Sequence, residues 1–155
     1  KEAIEKIFKI KKRPRSKPLA VFVKDLKIAQ NLAEINANQL KVLKQKWPGK
    51  YTFILKSKNL KLSKLVIKND KIALRIPKYN FLNSLLKKID KPLAQTSVNI
   101  SGQPALTKIN DILEFCKKCG TSALPQILII NAGNLPKSNP SKIIDLTASH
   151  LTRLR

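Results

Sequence analysis

Pro92-Leu93-Ala94-Gln95-Thr96-Ser97-Val98-Asn99-Ile100-Ser101-Gly102 decides how the rest of the chain reads. A short apolar run passes into hydroxyl, amide and glycine residues, and the glycine offers a position where φ can turn positive. The pattern is that of a strand running into a ligand loop. Ser97, Asn99 and Ser101 alternate, so extended backbone across them predicts three side chains on one face, able to donate and accept around a polar ligand. Alone, the stretch reads better as a plain Ser/Asn-rich turn after a strand, and the rest of the sequence has to shift that balance.

Upstream of it, Phe81, Leu82, Leu85, Leu86 and Ile89 fall at helical spacing, and Ile72 to Ile76 reads as a strand closed by Arg75-Ile76-Pro77. Lys58 to Lys71 is a charged connection. Before it, Trp47-Pro48-Gly49-Lys50-Tyr51-Thr52 turns into a strand over Thr52 to Leu55. Two helices precede the turn. Asp25 can cap one with Leu26, Ala29, Leu32 and Ala33 inward, and Asn36 or Asn38 can cap the next with Leu40, Leu43 and Trp47 inward. Leu19 to Val23 is a continuous apolar strand of the kind buried on both faces. It follows a basic turn, Lys11-Lys12-Arg13-Pro14-Arg15-Ser16-Lys17-Pro18, that ends a helix over residues 2 to 10 with Ala3, Ile4, Ile7 and Phe8 at helical spacing. Downstream, Asp111 to Lys118 reads as a helix, Ile127 to Ile130 as a short apolar strand, Ala132-Gly133-Asn134 as a turn, and Pro140 to Leu146 as the start of a last strand before Arg153-Leu154-Arg155. Strands alternate with helices and nothing repeats, which predicts an α/β fold around a mixed, open sheet.

A length of 155 residues with 43% hydrophobic content supports one sizeable core and a single domain that needs neither disulfides nor metal. The charge is extreme. Thirty-two basic residues against nine acidic ones give a net +23, which favours polyanionic partners such as nucleic acid or nucleotides. Only Arg13, Arg15, Arg75, Arg153 and Arg155 are arginines, and the abundance of Lys, Asn and Ile matches the drift of an AT-rich genome. No run of 18 apolar residues and no signal-peptide pattern occurs, so a cytoplasmic location away from membranes is expected. The absence of Met predicts that the chain starts inside its gene.

Few constellations can carry chemistry. Lys11, Arg13 and Lys17 in the basic turn can bind a phosphate chain, at roughly 1.5 to 3 kcal/mol per charge-assisted hydrogen bond. Arg75 ends an apolar strand just before Pro77, a place suited either to a ligand carboxylate or phosphate or to a structural ion pair. Cys116 and Cys119 form a lone Cys-Lys-Lys-Cys whose lysines are expected to lower a thiol pKa. Without a second pair, and with His150 the only histidine, reduced structural thiols are expected and no metal site of the protein's own. No Walker motif, dinucleotide glycine fingerprint or Ser-His-Asp set can be assembled.

Lys11-x-Arg13-Pro14 with Lys17-Pro18-Leu19, Trp47-Pro48-Gly49 with Thr52, Arg75-x-Pro77, Thr96 to Gly102, and Pro140-Ser141 with Asp145 occur in the order of the motifs of the YrdC-like threonylcarbamoyl-AMP synthase family, which the chain resembles over residues 1 to 155. The resemblance implies a twisted open mixed sheet with flanking helices and a basic concave surface that holds ATP, Mg2+ and L-threonine. It implies synthesis of threonylcarbamoyl-AMP and pyrophosphate from L-threonine, bicarbonate and ATP. Partner proteins would then carry the acyl group to the tRNA adenosine beside the anticodon. Carried over to this sequence, Lys11 and Arg13 would be catalytic and, with Lys17, would meet the ATP phosphates. Asn99, Thr107 and Arg155 would hold ATP, while Arg75, Ser97 and Ser141 would hold threonine. The chain departs from the family at Lys50 for a usual proline, Val98 for alanine and Lys142 for threonine. Nothing in it corresponds to the family's opening strand and Pro-Thr-x-Thr-x-Tyr-Gly-Leu segment, so synthesis is expected to suffer more than polyanion binding. The alternative to an enzyme is a double-stranded RNA or tRNA binding module without catalysis.

Overall fold

The computed structural model describes residues 2–58, 62–119 and 127–148, together with the backbone of 152–153. It separates into two compact units, one of residues 1–17 and 97–139, the other of 18–96 and 140–155.

The second unit holds the sheet. Among the described residues it has eight strands, β1 (Ala20–Phe22), β2 (Ala33–Glu34), β3 (Tyr51–Ser57), β4 (Ile67–Lys68), β5 (Lys71–Arg75), β6 (Leu93–Gln95), β7 (Lys142–Asp145) and β8 (Thr152–Arg153); six run in the order β6-β1-β5-β3-β7-β8, while β2 pairs with β3 and β4 with β5. The sheet is mixed and open, as expected. β3 pairs antiparallel with β5 and parallel with β7, and its far end takes β2 on the same edge as β7, since β7 covers Tyr51 to Ile54 and β2 covers Lys56 and Ser57. Phe53, Leu55, Ile72, Leu74 and Val23 form its core with Leu43 and Leu86. Each such side chain contributes about 1.5–3 kcal/mol of transfer free energy.

The helices of this unit begin where side chains satisfy their first N–H groups. α2 (Leu26–Leu32) is capped by Asp25, whose Oδ1 accepts from Ile28 N at 2.8 Å. Asn36, not Asn38, caps α3 (Ala37–Lys46) in a reciprocal box with Gln39. Gln39 also donates to Leu146 O at 2.7 Å, which ties the start of α3 to the end of β7. Trp47 lies just past α3, buried edge-on against Phe53. α4 (Asn80–Ile89) stops at left-handed Asp90, which pairs with Lys24. The segment read as a charged connection contains β4, joined to β5 through Asn69 and Asp70. Both have positive φ, as a tight hairpin of two residues needs.

The first unit contains α1 (Glu2–Lys11) and α5 (Ile109–Cys119). α1 closes when Lys12 adopts φ 49°, with Arg13 N donating to Phe8 O and Lys12 N to Lys9 O. α5 starts where Asn134 Oδ1 accepts from Ile109 N at 3.0 Å. Two expectations fail here. Residues 127–130 form no strand, and Ile127, Leu128 and Ile130 are exposed at 41%, 86% and 57%, since no strand among the described residues pairs with them. Residues 97–102 are bends and a turn, so Ser97, Asn99 and Ser101 do not share one face of an extended strand; the loop folds on its own side chains instead. No helix among the described residues is long and apolar enough to cross a membrane.

Candidate functional site

In the first unit the basic turn and the 97–103 loop are one hydrogen-bonded object. The Schellman closure of α1 directs Lys11 inward, and the residue is only 4% exposed. Its Nζ donates to Ser97 O at 2.7 Å, to Asn99 O at 2.9 Å and to Asn99 Oδ1. Its own carbonyl accepts from Ser101 N at 2.8 Å. Ser97 Oγ donates to Asn99 Oδ1 at 2.8 Å, and Asn99 Nδ2 donates to Gln103 O. Gly102 completes the turn at φ 93°, where a Cβ would be strained. Burial, with repulsion from Arg13 added, pulls the Lys11 pKa down.

Arg13 and Lys17 also belong to this turn. Arg13 Nε donates to Lys17 O at 2.7 Å, and its guanidinium lies 6.0 Å from the centroid of Phe8. Lys17 is exposed, and Thr107 is half-buried with its carbonyl accepting from Leu135 N at 2.8 Å. Arg15, by contrast, is spent in a bidentate pair with Glu5.

In the second unit the relevant residues sit where β3, β5 and β7 begin or end. Arg75 closes β5 half-buried, its Nε donating to Gly49 O at 2.9 Å and its Cζ standing 5.6 Å from the centre of the Phe22 ring. No carboxylate pairs with it among the described residues, and burial lowers its pKa. The 47–52 turn that supplies the Gly49 carbonyl is held by Trp47 Nε1 donating to Tyr51 O at 2.8 Å. A Cβ on Gly49 would stand 2.3 Å from the Lys46 carbonyl oxygen, so only glycine fits. Ser141, buried just before β7, shares a hydrogen bond of 2.9 Å with Thr52 Oγ1 of β3. Arg155 lies outside the described residues, as does His150.

Sequence reasoning missed Gln103, whose carbonyl anchors Asn99, and named Thr52 in a motif without a role, although its hydroxyl meets Ser141. Thr52 carried a signal: a hydroxyl among the apolar residues of a central strand needs a partner. The Cys116 thiol differs from expectation. Burial, then the neighbouring Cys119, pushes the Cys116 thiol up, opposite to the lowering expected from the flanking lysines. No three His, Cys, Asp or Glu side chains gather among the described residues.

Comparison with known proteins decides the lineage. The Sua5/YciO/YrdC family model, described as telomere recombination, matches residues 1–155. The chain belongs to this family. Its relatives include the threonylcarbamoyl-AMP synthase of Vibrio vulnificus strain YJ016, 28% identical, with 97% of this chain and 80% of that protein covered. Among solved structures, P. abyssi Sua5 complexed with L-threonine superposes with a TM-score of 0.86 at 28% identity, over 100% of this chain and 44% of that one. The chain therefore spans less than half the length of that Sua5. E. coli YciO, at 24% identity and a TM-score of 0.83 over 100% of this chain and 73% of its own, shares the fold.

Proposed function

We propose that this chain carries threonylcarbamoyl-AMP synthase chemistry, joining L-threonine, bicarbonate and ATP with release of pyrophosphate, to supply threonylcarbamoyl groups for the tRNA adenosine next to the anticodon. The observation that carries the reading is Arg75: a half-buried guanidinium with no carboxylate beside it among the described residues and its fork held by Gly49 and Phe22. Such a group matches an anionic ligand bidentately. A relative at 28% identity whose structure is complexed with L-threonine makes the amino-acid carboxylate the fitting anion.

In this reading Arg75 and Ser141 receive threonine, and Arg13 and Lys17 receive the phosphates of ATP, with Asn99, Thr107 and Arg155 at the nucleotide. No general base of unusual pKa is required, because a carbamate oxygen attacks the α-phosphorus and the protein's task is orientation and charge neutralisation. No carboxylate cluster among the described residues would hold Mg2+ on its own. Magnesium would enter on the ATP phosphates as part of the substrate. The downstream partners would be tRNA and the proteins that transfer the threonylcarbamoyl group.

Pyrophosphate release from ATP, measured with and without L-threonine and bicarbonate, tests this. It is run on this chain and on the chain carrying any residues its gene encodes upstream. Release that needs both co-substrates supports the reading; release from neither form, or release indifferent to threonine, sinks it.

A further inference from the structure

The Lys11 ammonium has three N–H groups and three acceptors, Ser97 O, Asn99 O and Asn99 Oδ1. None remains for a ligand. The same accounting applies one step outward. Asn99 Oδ1 takes its second hydrogen bond from Ser97 Oγ, and one of the two Nδ2 hydrogens goes to Gln103 O. Turning the amide over would place its NH2 against the ammonium and its oxygen against a carbonyl, so the network fixes its orientation. Ser97, whose hydrogen is committed to Asn99, is exposed and has only lone pairs left to offer.

We infer that Lys11 is a positioning residue rather than a phosphate ligand: it sets the hydrogen-bond polarity of the loop so that Ser97 Oγ accepts from the ligand and Asn99 Nδ2 donates one hydrogen. This rests on the reading of the loop as part of an ATP and threonine site. It assigns Ser97 a partner class, an O–H or N–H of the substrate and not a phosphate oxygen, which can only accept. Both the nucleoside and the amino acid carry such donors.

Nitrogen-15 NMR of the Lys11 ammonium tests the first half in the free protein. A shielded ammonium shows slow proton exchange and keeps its resonance when tripolyphosphate or ATP is added. Rapid exchange, or a resonance that moves with tripolyphosphate, overturns the proposal, and neither readout needs the enzyme to be active. Variants read the mechanism. Lys11→Met and Asn99→Ala should each weaken ATP by roughly tenfold, and the double variant by no more than either alone, since both remove one network. Losses that multiply mean that Lys11 touches the ligand itself. Ser97→Ala tests the polarity and the source of the donor. Weaker ATP binding with tripolyphosphate unchanged assigns the nucleoside; a loss seen only when L-threonine is present assigns the amino acid. Equal loss for tripolyphosphate and ATP, or no loss with any ligand, overturns the polarity. Absence of pyrophosphate release from both this chain and its upstream-extended form would sink the functional reading while leaving the ammonium result intact.

Discussion

Arg75 stood out in the sequence as a candidate because an arginine is an odd choice at the end of an apolar strand; its hold on Gly49 did not, since that contact joins residues 26 apart. A single charge is not what the position provides. Arg75→Lys keeps the charge and loses the planar fork, so the defect should appear in threonine affinity and spare ATP alone, as calorimetry with each ligand would read. Equal loss for both would make Arg75 a phosphate contact or a structural group. Asp145 is a residue of a different kind. Burial opposes its ionisation, but the Thr147 hydroxyl and N–H and the Lys71 ammonium outweigh that and hold its carboxyl below the usual aspartate range. A depressed folded pKa gives stability that is complete above the unfolded value of about 4 and is lost as pH falls through the folded one. Urea midpoints should therefore show Asp145→Asn less stable at neutral pH, with the gap closing under acid. A gap that ignores pH would remove the carboxylate from the explanation.

At the level of elements, the sequence was readable wherever one residue governs a backbone feature. Asp25 and Asn36 announced their helices because a short polar side chain satisfies N–H groups the helix leaves open. Asn36→Ala should lower stability by about 1 kcal/mol, measured by denaturant titration; Asn38→Ala should change almost nothing, since it is not the cap. Unreadable elements were those decided by distant neighbours. Ile127 to Ile130 have strand chemistry but no ladder, and the alternation of Ser97, Asn99 and Ser101 yielded to a lysine 86 to 88 positions away. β4 falls between these cases: the Asn69-Asp70 pair was a visible hairpin signal inside a segment whose charge hid it.

Across the whole molecule, a net +23 makes polyanion binding the property least dependent on any one side chain. Binding of tRNA should weaken linearly in log–log terms as salt rises, because condensed counterions are released. Filter binding between low and physiological salt would read the slope, and a flat dependence would mean the lysines are a solvated surface without a nucleic-acid role. The mixed open sheet was foreseeable from the alternation of strands and helices. Its strand order was not, because β7 returns to β3 only after residues 97–139 of the first unit intervene in the sequence.

That return has a cost in time. Thr52 and Ser141 are 89 positions apart, so at the usual pace of synthesis β3 waits about 5 to 18 s for the partner of its Tyr51–Ile54 edge. Throughout that interval the nascent chain carries a bare row of amide donors and carbonyl acceptors on an aromatic, β-branched segment, which is the template on which unfinished chains stick to one another. Lys50 and Lys56 bracket those residues. Lysines flanking an open edge oppose such pairing between chains through like-charge repulsion, and Lys56 is in addition paired with Glu34 of β2 at 3.1 Å.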